Sequence, residues 1–117
     1  MTDIITIKKA QDVDILSLSF NEINLEQREQ LKKKMMDLLD TGVTRFIIDL
    51  SGVGFLSSLV IATIVFFSKE VYRKNGKMKL SGLSNEASSI LQLTQLDKIF
   101  EVYNTEQEAL ESFNRSS

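Results

Sequence analysis

The sequence of 117 residues contains no cysteine and no histidine. Without cysteine, the chain cannot form a disulfide framework, a thiolate metal site or a cysteine nucleophile. Without histidine, it lacks the commonest general base and the commonest nitrogen ligand of metals, and it cannot build a Ser-His-Asp triad. These absences exclude most hydrolytic and redox designs. We therefore expect a protein that is not an enzyme and that holds neither a metal nor a cofactor.

The sequence also lacks an excess of positive charge. Fourteen lysines and arginines stand against 16 aspartates and glutamates, a net charge of −2, and both signs are spread along the chain. A basic face, which would bind nucleic acid by releasing counterions, is not expected. The run Lys32, Lys33 and Lys34 lies within a patterned helix and is interpreted as a solvated face. No nucleic-acid partner is therefore predicted.

Long hydrophobic runs are missing as well. The longest apolar stretch, residues 59–67, is far shorter than the ~20 residues that cross a bilayer. Residues 1–4 show no basic segment followed by an apolar core, so no signal peptide is visible. We expect a cytoplasmic protein without membrane insertion. The composition, 43% hydrophobic and 26% charged, is typical of one globular domain, which we assign to residues 1–117.

The first third of the chain predicts a β-hairpin and a helix. Residues 4–7 and 13–20 are strand-like, and the polar residues 8–12 between them suit a turn. Asn24 and Gln27 have the spacing of a capping box at the start of the first helix. The buried stripe of that helix is expected to contain Leu31, Met35, Leu38 and Leu39.

The rest of the chain alternates short apolar strands with helices. Gly42 ends the first helix, and strands are expected at residues 45–50, 77–80 and 99–103. A turn at residues 51–54 separates the first of these strands from a second helix. We interpret the apolar residues 59–67 as that helix, because Ser57 or Ser58 can cap its start and Asn75-Gly76 can end it.

Two further helices complete the prediction. Ser84 can cap the third helix, with Ala87, Ile90 and Leu91 turned inward. Thr105 and Glu108 suggest a second capping box, followed by an inner face of Ala109, Leu110 and Phe113. The resulting order, β-β-α-β-α-β-α-β-α, predicts an α/β fold: a mostly parallel sheet with one antiparallel N-terminal strand and four helices.

One segment of the sequence has a recognisable pattern. Residues 49–58 consist of Asp-Leu-Ser-Gly-Val, Gly, an aromatic and an aliphatic residue, and two serines at the start of a helix. The segment resembles the signature of the STAS domain family and, within it, of the bacterial anti-sigma factor antagonists. Residues 91–100 are similar to a late helix and strand of that family, and the element order matches along essentially the whole chain.

The resemblance implies a binding module with a phosphorylation switch. The implied partner is an anti-sigma factor that is also a serine kinase, and the phosphorylated serine corresponds to Ser58, with Ser57 as the fallback. Binding would regulate sigma-factor-dependent transcription, and a serine phosphatase would reset the switch. The resemblance also favours a monomer when free. The partner surface would contain Asn24, Phe55, Ser57, Ser58, Leu59 and Val60.

Elementary electrostatics supports such a switch. A phosphoryl group adds about −1.5 to −2 charges and three strong hydrogen-bond acceptors. At a helix N-terminus it meets free N–H groups and the positive end of the helix dipole, so the fold itself should tolerate it. A partner packed against the same position would not. Phosphorylation of Ser58 is therefore expected to end binding and leave the fold intact.

The sequence departs from the family pattern at several positions. Ser57 replaces the aspartate that usually precedes the serine, and Leu59 and Val60 replace a small residue and a glycine. Asn24 stands where an acidic residue is usual before the first helix. The substitutions put phosphorylation in more doubt than partner binding, and Ser57 could equally be only a helix cap.

Other functions remain open at this point. As some STAS relatives do, the domain could bind a nucleotide or a lipid headgroup at the positive end of the second helix, or serve a transporter complex or a signalling scaffold. A dinucleotide site at Gly52 and Gly54 is disfavoured, because serine holds the third glycine position and no acidic residue follows the next strand. Asp49 lacks the companion acids of a phosphoacceptor aspartate and is interpreted as structural.

Overall fold

The computed structural model describes residues 4–115, in which five strands form one mixed sheet of order β1-β2-β3-β4-β5. The strands are β1 (Ile5–Ala10), β2 (Val13–Phe20), β3 (Arg45–Val53), β4 (Lys77–Ser81) and β5 (Glu101–Tyr103). The helices are α1 (Leu25–Asp40), α2 (Ser58–Arg73), α3 (Asn85–Leu93) and α4 (Glu106–Arg115). β1 is antiparallel to β2, and the other three pairings are parallel. The predicted fold class is confirmed.

The sheet has a large core on one face and a small core on the other. Alternate residues of each strand point to opposite faces. The large core lies under α1, α2 and α3 and includes Leu16, Ile48 and Leu80. The small core lies under α4 and contains Val13, Ile15, Ile47, Ala109 and Phe113. The continuous apolar run of β3 therefore arises because this central strand is covered on both faces.

The N-terminal hairpin is tighter than predicted. β1 starts at Ile5 and continues to Ala10, so the residues expected in the turn mostly belong to the strand. Only Gln11 and Asp12 form the turn, with Gln11 in the left-handed region at φ 60°. The prediction was wrong because Lys8 and Lys9 look like turn residues, whereas in the structure they form ion pairs with Glu106 and Asp14.

Two other strand boundaries differ from the prediction. β3 continues through Val53, so most of the residues expected in the turn belong to the strand. This last part of β3 pairs with the end of β2. β5 begins only at Glu101, because the preceding residues Leu96–Lys98 form a 3₁₀ turn. Leu38, Ile90 and Leu110 are partly rather than fully buried.

The helix boundaries follow the capping signals. Asn24 and Gln27 form the complete capping box of α1. Gly42, at φ 98°, follows the C-cap of α1, and Asn75, at φ 61°, follows that of α2. At the start of α4, the Thr105 hydroxyl accepts a hydrogen bond from the Glu108 N–H. The Glu108 carboxylate accepts from the Thr105 hydroxyl and not from the Thr105 N–H, so the second predicted capping box is incomplete.

A lysine is buried in the small core. Lys79 of β4 is fully buried, and its Nζ donates a hydrogen bond of 2.7 Å to Oγ of Ser112 on α4. The same Nζ lies 4.2 Å from the centre of the Phe113 ring and 3.5 Å from Oε1 of Glu101. Burial, which removes water from the ammonium group, lowers the pKa of Lys79 below its ordinary value of 10.5, and Glu101 offsets part of this effect.

Candidate functional site

The carboxyl ends of the parallel strands lie along one edge of the sheet, where each strand passes into the N-terminus of a helix. Loops at this edge lead from β2 to α1, from β3 to α2, from β4 to α3 and from β5 to α4. In open α/β sheets, binding sites concentrate at such an edge, because it gathers loops and exposed N–H groups. We call it the helix N-terminal edge.

Asp49 fixes the end of the central strand. It is only 9% exposed, and its carboxylate accepts hydrogen bonds of 3.1 Å from both the backbone N–H and the hydroxyl of Ser51. Gly82, at φ 74°, packs against this carboxylate so closely that a Cβ would collide with Oδ1. Asp49 thus connects the last residues of β3 with the start of the β4–α3 loop, in agreement with its interpretation as a structural residue.

The glycines of the β3–α2 segment allow close approach to β2. A Cβ on Gly52 would lie 2.7 Å from the carbonyl oxygen of Leu18, and one on Gly54 would lie 2.5 Å from Oδ1 of Asn21. The N–H of Gly54 donates to the carbonyl of Phe20 at 2.8 Å. These glycines are therefore required by packing between the extended ends of two strands.

The two serines at the start of α2 have different roles. Ser57 is the N-cap, and its Oγ accepts a hydrogen bond of 3.3 Å from the N–H of Val60. Ser58 is the first residue of α2 and is exposed. Within residues 4–115, the Ser58 hydroxyl forms no hydrogen bond. A free hydroxyl therefore stands at a helix N-terminus, beside a hydroxyl that is already used.

The start of α1 lies beside α2. Nε of Arg28 donates a hydrogen bond of 3.3 Å to Oγ1 of Thr63, which itself donates to the carbonyl of Leu59 at 2.8 Å. Asn24 is exposed, but its side-chain oxygen accepts from the N–H of Gln27. The Arg28–Thr63 contact holds the first turns of the two helices next to each other, which brings Asn24 and Ser58 to the same edge.

Exposure separates the predicted contact residues into two groups. Phe55 is 55% exposed, although it is a large apolar residue, and Leu59 is half-buried. Val60 has 0% exposure, because its side chain points into the large core. The prediction that Val60 contacts a partner is therefore not supported by its position. The Val60 side chain therefore fills part of the large core.

Sequence reasoning missed an exposed leucine at this edge. Leu25, the first residue of α1, is 67% exposed. The predicted stripe of α1 began only at Leu31, and an apolar residue outside that stripe was the signal that could have drawn attention to it. Together with Phe55, Leu25 makes this edge more apolar than its loops suggested.

A groove also went unnoticed in the sequence. It has a volume of about 190 Å³ and lies between the β3–α2 loop and α3. Phe55 and Leu56 line one side of the groove, and Ala87 and Ile90 line the other. Glu86 contributes the one ionisable side chain among its lining residues. No sequence signal marks the groove, because the lining residues are distant along the chain.

The charges at the helix N-terminal edge have one sign. The four loops at this edge and the first three residues of each helix contain no lysine or arginine. They contain five glutamates: Glu22, Glu26, Glu86, Glu106 and Glu108. Among residues 4–115, Glu106 is the only one of the five that forms an ion pair. Its Oε1 lies 3.1 Å from Nζ of Lys8. The opposite edge carries both signs, so this edge is distinctly acidic.

The described part of the chain shows neither a metal cluster nor a membrane span. No group of three or more acidic side chains among residues 4–115 could hold a metal ion. None of the helices in that range is long and apolar enough to cross a bilayer. The site must therefore be interpreted from its loops, its free hydroxyl and its exposed apolar residues.

A five-stranded mixed sheet with helix N-termini gathered at one edge defines a class of small α/β regulatory domain. The family model of the STAS domain matches residues 5–109, and the chain belongs to the STAS domain family. It is 31% identical over 109 residues to a protein of Thermotoga maritima that is provisionally named an anti-sigma factor antagonist. The match covers 92% of this chain and 96% of that protein.

Other relatives and solved structures agree with this assignment. A Thermotoga neapolitana protein with a similar provisional name is 32% identical over 105 residues, covering 89% of this chain and 92% of that protein. The crystal structure of the Thermotoga maritima protein superimposes with a TM-score of 0.84 at 30% identity, covering 92% of each chain. Phosphorylated SpoIIAA of Bacillus has a TM-score of 0.73 at 18% identity, covering 93% and 98%, which shows the common fold.

Proposed function

We propose that this chain is an anti-sigma factor antagonist that binds an anti-sigma factor with serine kinase activity. Phosphorylation of Ser58 by that kinase ends the binding and so changes sigma-factor-dependent transcription. The role is regulatory, not catalytic, and places the protein in the cytoplasm with a serine phosphatase to reset it. One observation carries the proposal: the exposed Ser58 hydroxyl, at the first position of α2, forms no hydrogen bond with any residue of the described range 4–115.

The position of Ser58 suits a reversible switch. The N–H groups of the first helical turn and the positive end of the helix dipole can stabilise a phosphate there. Ser57 already caps α2, so a phosphate on Ser58 need not displace the cap. SpoIIAA, which shares the fold, exists in a phosphorylated form. The phosphate would instead weaken binding of the partner, because the partner would have to displace the water bound to the phosphate.

The proposed contact surface combines apolar and polar groups. Phe55 and Leu25 are large exposed apolar residues, and such residues are the usual anchors of protein–protein interfaces. Leu59, Ser57, Ser58 and Asn24 lie beside them on the same edge, and Val60 is left out because it is buried. A surface of this kind fits a protein partner better than it fits a small polar ligand.

The alternative, an anionic small ligand at the N-terminus of α2, has less support. A nucleotide or lipid headgroup would approach an edge that carries five glutamates and no lysine or arginine in its loops. Repulsion between like charges opposes the binding of such an anionic ligand. A role in a transporter or signalling scaffold would still be a protein-binding role.

Affinity capture from native lysate with matched variants tests the proposal. The baits are wild type, Ser58→Asp, Ser58→Ala and, as a control for added charge at the far end of α3, Gln92→Glu. We expect a kinase-type ATPase to be captured by wild type, Ser58→Ala and Gln92→Glu but not by Ser58→Asp. The purified kinase and ATP should then phosphorylate wild type and not Ser58→Ala, as located by mass spectrometry.

The alternatives predict different results. Equal capture by Ser58→Asp and wild type would retain the binding role and remove the switch from this position. Phosphate found on Ser57 would transfer the switch to the neighbouring residue. Recovery of transporter subunits without a kinase would contradict the proposal. A nucleotide-induced thermal shift that is lost in Ser58→Ala would favour the ligand alternative.

A further inference from the structure

The groove between the β3–α2 loop and α3 is of a size that limits its occupant. Its volume of about 190 Å³ is smaller than the about 300–1,000 Å³ that is usual for small-molecule pockets. The walls are mainly apolar, with Leu56, Ala87 and Ile90 among the lining residues. A groove of this kind fits a single side chain better than a nucleotide or a drug-sized ligand.

Two lining residues restrict the chemistry of that side chain. Phe55 is 55% exposed, so part of its ring is available for stacking. Glu86 is exposed and takes part in no ion pair or side-chain hydrogen bond within residues 4–115. An exposed and unpaired carboxylate beside apolar walls favours the binding of a side chain that has a cationic end and an apolar stem. The absence of lysine and arginine from the loops of this edge means that the chain does not supply that cation itself.

Arginine fits this arrangement better than lysine does. Its planar guanidinium stacks on aromatic rings and donates two parallel hydrogen bonds to one carboxylate. Its three-carbon stem can lie along apolar side chains such as Ala87 and Ile90. Lysine would offer only a compact and strongly hydrated charge.

We propose that this groove receives an arginine side chain of the protein partner, with the guanidinium stacked on Phe55 and paired with Glu86. The inference rests on the proposed function, because it assumes a protein partner at the helix N-terminal edge. The groove adjoins the proposed contact surface, since Phe55 belongs to both. Phe55 and Glu86 are therefore specificity residues that select a partner with an arginine at one defined position.

A titration with single-residue probes tests this pairing without the partner. N-acetyl-arginine methylamide is added to ¹⁵N-labelled protein, and amide shifts are recorded by NMR. N-acetyl-lysine and N-acetyl-norleucine methylamides serve as controls for charge and for apolar length. We expect saturable shifts at Phe55, Glu86, Ala87 and Ile90 with the arginine probe, and a dissociation constant that is roughly millimolar for so few contacts.

Variants distinguish binding of the arginine probe in the groove from its nonspecific attraction to the acidic edge. Glu86→Gln keeps the shape of the side chain and should weaken the arginine probe by about fivefold or more, as expected for loss of a charged hydrogen bond. Phe55→Leu keeps an apolar wall and should also weaken it. Glu108→Gln is the matched control, because it removes an acidic residue from the first turn of α4, away from the groove. It should leave the affinity within twofold.

The outcomes are distinct. Equal shifts with norleucine would show an apolar groove that does not select arginine, and equal shifts with lysine would remove the role of stacking. An unchanged affinity in Glu86→Gln, or shifts spread over all glutamates, would overturn the pairing. Failure of the Ser58 variants in the capture experiment would not affect these results, so the two proposals fail separately. With the purified kinase, Glu86→Gln should lose about tenfold in affinity.

Discussion

Ser57 and Ser58 are neighbours in the chain, but their hydroxyls are placed very differently. The hydroxyl of Ser57 accepts a hydrogen bond from the N–H of Val60, whereas that of Ser58 is exposed and unused. A phosphate on Ser57 would alter the group that caps α2, whereas a phosphate on Ser58 would leave the Ser57 cap unmodified. At the residue scale, the structure assigns the cap to Ser57, which supports the proposal that Ser58 is the phosphorylated serine.

Replacing Ser57 tests this division of roles. Ser57→Ala removes the cap of α2 and should lower the free energy of unfolding by about 0.5–2 kcal/mol. Ser84→Ala is the matched variant, because Ser84 caps α3 through the N–H of Ala87 at 3.1 Å. Both losses are measured by urea denaturation. A Ser57→Ala variant that is as stable as wild type but is no longer phosphorylated would contradict the assignment.

Two glycines with positive φ differ in their surroundings. Gly42 has φ 98° with nothing within 4 Å of an added Cβ, whereas Gly82 has φ 74° and contacts Asp49 and Ser51. Gly42→Ala should cost about 1–2 kcal/mol through backbone strain alone. Gly82→Ala should cost more, because its methyl group also collides with the Asp49 carboxylate. Denaturation curves that give equal losses would show that the Asp49 contact relaxes freely.

At the scale of elements, α4 is attached to the sheet through an unusual buried cation. Lys79 of β4 contacts both Ser112 and Phe113 of α4. Ser112 also donates to the carbonyl of Ala109, so α4 surrounds the ammonium group with its own polar and aromatic atoms. The small core thus combines five apolar residues with one charge that has lost most of its water.

The lowered pKa of Lys79 makes stability depend on pH. Between the folded pKa and 10.5, the unfolded chain binds the proton and the folded chain does not, so the free energy of unfolding rises with pH. Lys79→Met removes this titration. In urea denaturation from neutral pH towards pH 10.5, the stability of wild type should rise relative to that of the variant. Parallel curves would mean that Lys79 remains protonated in its site.

The neighbours of Lys79 do not reverse this sign. Glu101 raises the pKa of Lys79 and offsets part of the effect of burial, whereas Lys77 and Arg45 lower it further. These three groups are present in wild type and in Lys79→Met alike. The remaining difference belongs to the buried ammonium group.

For the whole molecule, the main electrostatic feature is the difference between its two edges. The loops of the helix N-terminal edge and the first three residues of each helix contain five glutamates and no lysine or arginine, whereas the opposite edge carries both signs. The net charge of −2 conceals this distribution. An acidic edge attracts a basic partner surface over a distance of about one Debye length, ~10 Å at 0.1 M salt.

This distribution predicts a strong effect of salt on association with the proposed kinase partner. The association rate should fall as the salt concentration rises from about 0.05 to 0.5 M, while the dissociation rate changes little. Stopped-flow fluorescence measures both rates. The double variant Glu22→Gln/Glu26→Gln should associate more slowly and with a weaker dependence on salt. An association rate that is independent of salt would show that the acidic edge does not face the partner.

Much of the fold could be predicted from the sequence, because the signals were local. The alternation of β2, the capping pair Asn24 and Gln27, and Gly42 after α1 each specify local backbone structure, and the structure agrees. The STAS signature at residues 49–58 indicated the family before any contact was known. The errors also had local causes: the lysines of β1 resembled turn residues, and their ion-pair partners are distant in sequence or on another strand.

The composition and short-range pattern of the sequence determined the fold class, the family and the position of Ser58 at a helix start. The tertiary structure decided which residues of the site are accessible. It buried Val60, exposed Leu25 and Phe55, and formed a groove that Phe55 and Glu86 both line. Exposure and proximity depend on packing between elements that are far apart in the chain, and a single sequence carries no direct record of that packing.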